Sequence, residues 1–350
     1  MNKLKHRLES WAFRTLNIAG RIILLKSILQ AIPIYPLSVM AIPKGICSKI
    51  KEIFQKFLWG GPKQEKKWAL VSWKEISKHK EEGGLGIRDP EILNQVLGAK
   101  LWWRWMRGGN DIWKQIWTQK YSMPKKTKDI LRVTETPKGS SIWNLASQNR
   151  EIINKYAFRE IRNGSIGQFW EEAWQQRDRL GDIQTIQSTY LKAITKGLKR
   201  VKDYWKEEEI AEFWRTWRKP EEWDETIDEE QKENLIKELE KRKIKKSTRP
   251  DILRWGKPTK VTFTFKEAYN LAMQREEEEE SKEWKQLWKS KWWPKVIIFV
   301  WLVAKKRIVT WDKLQKKGYQ GPSRCSLCRQ EEETQEHLLN SCSYAQYQWE

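Results

Sequence analysis

Cys325, Cys328, His337 and Cys342 form a C-x2-C-x8-H-x4-C array that gathers three of the chain's four cysteines and one of its three histidines within 18 residues. Zn²⁺ takes four soft or borderline ligands in a tetrahedron, and Cys₃His is a common closed structural set. The short gap Ser326-Leu327 lets two thiolates grip one ion from a single turn. His337 and Cys342 are expected to close the cage from a short helix begun by the acidic run Glu331–Glu333. With four positions filled, none is open to water, so this zinc would build structure and perform no chemistry. The competing readings are a disulfide or free buried thiols. Three cysteines cannot all pair among themselves, and no signal peptide points to an oxidising compartment.

Other chemistry is not suggested. A nucleotidyl transferase needs two or more carboxylates around Mg²⁺, yet the chain has no adjacent Asp pair, and Asp129, Asp178 and Asp182 sit in no apolar-flanked hairpin. Cys47 stands alone, and His6 and His79 lie in charged surroundings, so no nucleophile–base pair is indicated. Gly83-Gly84-Leu85-Gly86-Ile87-Arg88 lacks the Lys-Ser/Thr ending of a P-loop and reads as a turn rather than a phosphate cradle. No catalytic residues are assigned, and catalysis by this chain alone is not expected.

Charge points to a partner. The formal net charge is +22, and residues 1–200 hold 37 Lys and Arg against 17 Asp and Glu, whereas residues 201–350 hold 31 against 29. A one-sided basic block suits a polyanion, because each phosphate contact releases counterions. An anionic membrane surface is the competing partner, but no lipidation signal is present. The longest apolar run, Val296–Ala304, falls well short of a bilayer span. An intracellular, nuclear or cytoplasmic protein is expected, not a secreted one.

The elements that must position these groups are helical. Ile22, Leu25 and Leu29 recur at helical spacing, prolines 33, 36 and 43 interrupt, and Ile46, Ile50, Ile53, Phe54, Phe57 and Leu58 resume. A second helix spans about Asp89–Arg107 and carries Trp102, Trp103 and Trp105, at least two of them core, although any could stack on a base. Asn163-Gly164-Ser165 is a turn before Phe169–Trp174. The stretch 221–246 runs from acidic to basic, as a solvated helix would, and its end Lys241–Lys246 also fits a nuclear address. Val261–Phe265 alternates like a short strand or extended segment, and helices return from Lys266. The fold class is mainly α: a helical N-terminal region 1–124, an irregular polar middle 125–250, and a small helical zinc-binding domain 251–350 with at most short strands.

The order of several islands resembles a known family. Leu8-Glu9-Ser10-Trp11, Ala19-Gly20-Arg21 leading to Lys26-Ser27, Ile32-Pro33-Ile34-Tyr35, Phe57-Leu58-Trp59-Gly60, Val71-Ser72-Trp73, Gly83 to Arg88 and Asn94 come first. Phe169-Trp170 with Trp174, Phe263 to Tyr269, Trp284 to Trp301, and the cysteine–histidine array with Trp349 follow. Together they resemble the region downstream of the polymerase core in LINE-type (non-long-terminal-repeat) retrotransposon reverse transcriptases of the plant kind. The surplus of Trp and Lys and the polar stretch near 201–250 depart from that pattern.

The resemblance implies a thumb-like post-palm region followed by a reverse-transcriptase zinc-binding domain. The palm with its paired aspartates would precede Met1, and a ribonuclease H domain would follow Glu350, so the chain reads as a truncated, non-catalytic part of an RNA-directed DNA polymerase homologue. RNA or DNA is the implied partner, a catalytic reverse transcriptase chain is a second, and no membrane is involved. Arg21, Lys26, Arg88, Arg104, Arg107, Arg324 and Arg329 are the cations expected to meet phosphates. The alternative is a zinc-stabilised protein-interaction module retained from a decayed element.

Overall fold

The computed structural model describes residues 16–60, 68–107, 110–121, 138–170, 172–175, 180, 183, 200–205, 217, 229–242, 244–245, 247–256, 263–273 and 281–349. Helices α1 (Ile18–Leu24, continued by a π-turn Leu25–Leu29), α2 (Ile34–Val39), α3 (Lys44–Trp59), α4 (Trp73–Ile76), α5 (Pro90–Met106), α6 (Ile112–Tyr121), α7 (Ser141–Gln148) and α8 (Arg150–Asn154) come first. Strand β1 (Ala157–Glu160), α9 (Glu229–Glu240) and β2 (Ile252–Trp255) follow, then α10 (Phe265–Ala272), α11 (Lys282–Lys289), α12 (Pro294–Ala304), α13 (Trp311–Gln315) and α14 (Ser343–Trp349). The fold is mainly α, as expected. The N-terminal island around Leu8 and Trp11 lies outside the described residues, as do Asp129, Asp178 and Asp182.

The chain divides into two compact units: Met1–Pro36, Ile42–Glu91 and Glu276–Glu350 form one, and Leu37–Ala41 with Ile92–Arg275 form the other. In the first, α3 presents Ile50, Phe54, Phe57 and Leu58 at helical spacing to a core shared with Ile22, Leu25, Leu29, Ile298, Trp301 and Leu302. Each such side chain contributes roughly 1.5–3 kcal/mol when fully buried. Pro43 precedes α3 as its N-cap, where a missing N–H costs nothing. The glycine-rich stretch is the structural turn expected. Gly83 has φ +76°, and a Cβ there would sit 2.6 Å from the Trp284 ring. Its carbonyl accepts from the buried Trp301 indole, Nε1 to O 2.9 Å. This turn is therefore welded to α12, and it is not a phosphate loop.

The second unit buries the tryptophans. Trp102, Trp103 and Trp105 of α5 are all core, packed with Trp117, Tyr121 and Trp143. Trp105 meets Trp143 edge to face at 5.2 Å, the arrangement the ring quadrupole favours. None of the three is a base-stacking surface. Asn94 is buried, and its amide donates to the carbonyls of Leu37 (2.6 Å) and Met40 (2.9 Å). β1 and β2 pair antiparallel, with Ala157 opposite Trp255 and Glu160 opposite Ile252. Asp251, just before β2, accepts backbone N–H bonds from Arg162, Gly164, Ile166 and Gly167 at 2.7–2.9 Å and so locks the Asn163–Ser165 turn.

Two local expectations need correction. The alternating stretch Val261–Phe265 is no strand in its described part: Val261 and Thr262 lie outside the described residues, Thr264 is extended at φ −114°, ψ 142°, and Phe265 opens α10. Thr264 is its N-cap, accepting from the Glu267 N–H, so the Thr that suggested alternation is a cap. In the basic stretch Lys241–Lys246, Arg242 and Ile244 are buried. The Arg242 guanidinium lies 4.6 Å from the centre of the Trp174 ring, which ties this stretch into a core.

Candidate metal centre

A tight hairpin builds the first half of the site. Arg324 and Glu332 form an antiparallel bridge. The Cys325 N–H donates to Glu331 O at 2.7 Å, and the Glu333 N–H donates to Ser323 O at 2.8 Å. Within it Cys325-Ser326-Leu327-Cys328 turns back on itself, with the Arg329 N–H bonded to Cys325 O at 2.9 Å. Arg329 closes this turn at φ +59°, a left-handed conformation rare outside glycine. The acidic run thus forms a hairpin strand and does not begin a helix, which corrects the sequence expectation. The Glu333 N–H goes to Ser323 O and the Glu331 N–H turns toward Cys328, so the run bonds back into the hairpin and the helical turn starts only after Thr334.

The second half comes from a π-turn, His337–Ser341, in which the Cys342 N–H donates to His337 O at 2.7 Å. Residues i and i+5 of an α-helix lie about 140° apart around the axis. An i→i+5 turn brings them back to one side, which is what the x4 spacing of His337 and Cys342 requires. The Thr334 hydroxyl caps the entry by accepting from the His337 N–H at 3.1 Å. The Trp311 N–H and Asp312 N–H both donate to Glu333, and the Gln335 amide donates to Val303 O at 2.8 Å, fixing the cage to α12 and α13.

The four donor atoms lie within 4.8 Å of one another. Cys325 Sγ and Cys342 Sγ are 4.0 Å apart, and Cys328 Sγ is 3.2 Å from His337 Nε2. Bonds of about 2.3 Å to a tetrahedral ion put sulfurs about 3.8 Å apart, so the set matches the geometry of Zn²⁺. All four cysteines are free thiols, which sets the disulfide reading aside. The apolar support is small: Cys325, Cys342 and Ala345, with Cys328 and Leu338 against them. So slight a core needs the metal to hold it. Cys325, Cys342 and His337 are buried, with Cys328 at the edge.

Electrostatics prepare two thiols differently. The Gln330 N–H pointing at Cys328 Sγ, helped by the Glu331 N–H and His337, brings the Cys328 thiol down to about 6. Burial pushes the Cys325 thiol up, and a dication would reverse that. Glu331 was missed by sequence reasoning. Its carboxylate lies 2.9 Å from His337 Nδ1 and so selects the tautomer with Nε2 free to ligate. The signal was in the acidic run, but which of three glutamates faces the imidazole depends on hairpin register.

The candidate cations divide between the two units: Arg21, Lys26, Arg88, Arg324 and Arg329 belong to the first, Arg104 and Arg107 to the second. Arg88, Arg104, Arg107, Arg324 and Arg329 are exposed. Arg104 also lies 5.4 Å over the Trp113 ring. Arg21 is buried, its guanidinium donating to Gly60 O, and burial lowers its pKa. Lys26 is half-buried beside Lys80, and burial first, then that neighbour, lower its pKa to about 8. A denser block was missed: residues 282–317 hold 11 Lys and Arg against two carboxylates. The near-neutral average over 201–350 concealed it. The cage segment 318–350 is the opposite, with two Arg against five Glu. Among the described residues no helix is long and apolar enough to cross a membrane.

Residues 263–349 match a protein family described as zinc-binding in reverse transcriptase, and all four cage residues fall inside that match. The chain is 25% identical over 349 residues to an Arabidopsis thaliana protein named "Putative ribonuclease H protein", which covers 98% of this chain and 53% of that protein. It thus spans about half of that relative's length. It is also 28% identical over 146 residues to an uncharacterized mitochondrial protein of the same plant, covering 41% of this chain and 93% of that one. These likenesses relate the chain to reverse transcriptase elements and place its zinc cage in a segment of matching type.

Proposed function

We propose that this chain is a non-catalytic, nucleic-acid-gripping part of a LINE-type reverse transcriptase, with the polymerase aspartates supplied by sequence or by a chain outside it. The observation that carries the reading is the Cys₃His cage in a segment of reverse-transcriptase type, next to a block of 11 cations and two carboxylates. In this reading residues 1–124 act as a thumb-like region, 125–250 as an insert and 251–350 as the zinc-binding domain, a division by role that is distinct from the two packing units. The zinc holds the tail's backbone in shape. Phosphates are met by exposed Arg88, Arg104, Arg107, Arg324 and Arg329, less by buried Arg21 and half-buried Lys26, and above all by the 282–317 block.

The alternative, a zinc-stabilised protein-interaction module, draws support from exposed apolar groups around the start of α12: Trp293 is 81% exposed and Trp292 56%. Salt separates the two. Binding that neutralises six phosphates should weaken about 10³-fold between 50 and 200 mM salt, whereas an apolar protein interface should barely respond. The test is affinity of the chain for single-stranded and duplex RNA and DNA across that range, with Cys325→Ser and Cys328→Ser beside it. Weak, salt-independent association with every nucleic acid would refute the reading.

A further inference from the structure

The first packing unit carries a cationic notch that neither the zinc cage nor the candidate arginines account for. It is a cavity of about 320 Å³ lined by Arg307, Lys313, Lys316 and Lys317 with Trp68, Leu70 and Val309. A second cavity of about 640 Å³ shares Trp68, Leu70 and Val309 and adds Trp59, Phe299 and Tyr319, with Arg21 and Lys295. Both fall in or near the ~300–1,000 Å³ range of ligand pockets. Among the described residues no carboxylate lines either cavity. Asp312, the nearest in sequence, accepts from the Thr310 hydroxyl.

Two helix ends build the notch. At the end of α12 the Arg307 N–H bonds to Leu302 O and the Lys306 N–H to Val303 O, both at 2.8 Å, with Lys306 at φ +53°. That left-handed turn carries the chain round to Arg307 and Ile308. At the end of α13 Gly318, at φ +87°, completes the same motif: the Tyr319 N–H reaches Leu314 O at 3.2 Å and the Gly318 N–H reaches Gln315 O at 2.9 Å. The result sets Tyr319 edge-on to Trp68, ring centres 5.4 Å apart, with the Lys317 ammonium 3.7 Å from the Trp68 ring centre. Lys313 Nζ donates to the carbonyls of Lys306 and Ile308, tying α13 to the first of these turns.

We propose that this notch is a single-stranded nucleic-acid site, in which Arg307, Lys316 and Lys317 hold backbone phosphate while a base packs on Trp68 and Tyr319. Cations with no carboxylate among the described lining residues, beside partly exposed aromatic rings (Trp68 38%, Tyr319 52%), are the combination that single strands use, one for the backbone and one for the base. A cavity of about 320 Å³ is on the scale of one nucleotide unit. The site rests on the nucleic-acid reading above and specifies where one strand would sit.

The test uses the full chain, zinc-loaded, with fluorescein-labelled 20-nucleotide U and dT strands and a 20-base-pair duplex. Lys316→Glu with Lys317→Glu is compared with Lys44→Glu with Lys49→Glu, an equal charge change at exposed positions of α3. The notch pair should weaken single-strand binding at least tenfold more than the α3 pair. Trp68→Ala should cost about 5- to 150-fold on single strands, the value of one stacked base, and leave the duplex within twofold. Tyr319→Ala, at a more exposed position, serves should Trp68→Ala fail to fold. Photocrosslinks from 5-iodouridine should map to Trp68 or Tyr319. Equal losses from both charge pairs, or crosslinks elsewhere, would overturn the notch and leave the broader reading standing. Absence of any salt-dependent binding would overturn both, and equal binding of a poly-glutamate peptide would show an anion site without strand selectivity and overturn the assignment.

Discussion

Glu331→Gln tests the architecture of the cage without touching a ligand. The Glu331 carboxylate lies 2.9 Å from His337 Nδ1, and the opposite ring nitrogen faces Cys328 Sγ at 3.2 Å. Partners of this kind are worth about 10- to 100-fold in metal affinity. Here the Glu331 side chain is 66% exposed, so water competes for the bond, and glutamine keeps an accepting oxygen while losing the charge. The expected loss is therefore the low end, about tenfold or 1.4 kcal/mol. The assay is zinc competition against a chromophoric chelator at pH 7, with Glu332→Gln as the control for charge alone and Cys328→Ser as the ligand-loss reference. Glu332→Gln should stay within twofold of the parent, and Cys328→Ser should lose far more than Glu331→Gln. If Glu331→Gln binds zinc like the parent, or Glu332→Gln matches it, the carboxylate–imidazole–zinc relay is wrong. A nitrogen-15 spectrum of the zinc-bound chain showing Nδ1 as the ligated nitrogen would refute it independently.

Asp251→Ala removes an acceptor shared by four backbone N–H groups and should cost about 3 kcal/mol, because two of them, those of Gly164 and Gly167, are buried and each left unpaired costs roughly 1–3 kcal/mol; urea unfolding followed by tryptophan fluorescence reads it, and a loss under 1 kcal/mol would contradict the geometry. Gly83→Ala should destabilise by about 2 kcal/mol or more, since it forces a side chain to φ +76° with its Cβ against Trp284, and thermal melting checks it. Lys26, whose folded pKa of about 8 lies below the 10.5 of the unfolded chain, carries a penalty that is full below pH 8 and relieved as pH rises towards 10.5. Lys26→Met should thus stabilise the chain at pH 7, by up to about 3 kcal/mol, and flatten the rise in stability between pH 8 and 10; a variant less stable at pH 7 than the parent would show that the ammonium is better solvated than its surroundings suggest.

Much of the site was legible in the sequence because metal ligation is chemically narrow. Few residue types bind zinc, a two-residue cysteine gap has few conformations, and three clustered thiols in so small a tail have few other uses. The helical stretches Lys44–Trp59 and Pro90–Met106 were equally readable, since apolar spacing of three and four residues reports which face meets a core. The fate of Trp102, Trp103 and Trp105 followed from their number and bulk.

Position along the chain cannot show what two distant segments do together, and there the tertiary structure decided. The Glu331–Glu333 run became a hairpin strand because Ser323 and Cys325 offered it a ladder, and the register of that ladder alone chose Glu331 for the imidazole. Asp251 reads as one unremarkable aspartate until folding brings it against a turn more than 80 residues away. The cations behaved likewise. Arg21 looked like a phosphate contact but lies buried with its guanidinium on Gly60 O, whereas Arg307, Lys316 and Lys317, hidden in the near-neutral average over 201–350, gather around Trp68. Ligand identity is a property of residue type and local spacing. Charge density at a surface is a property of three-dimensional neighbourhood, which only packing supplies.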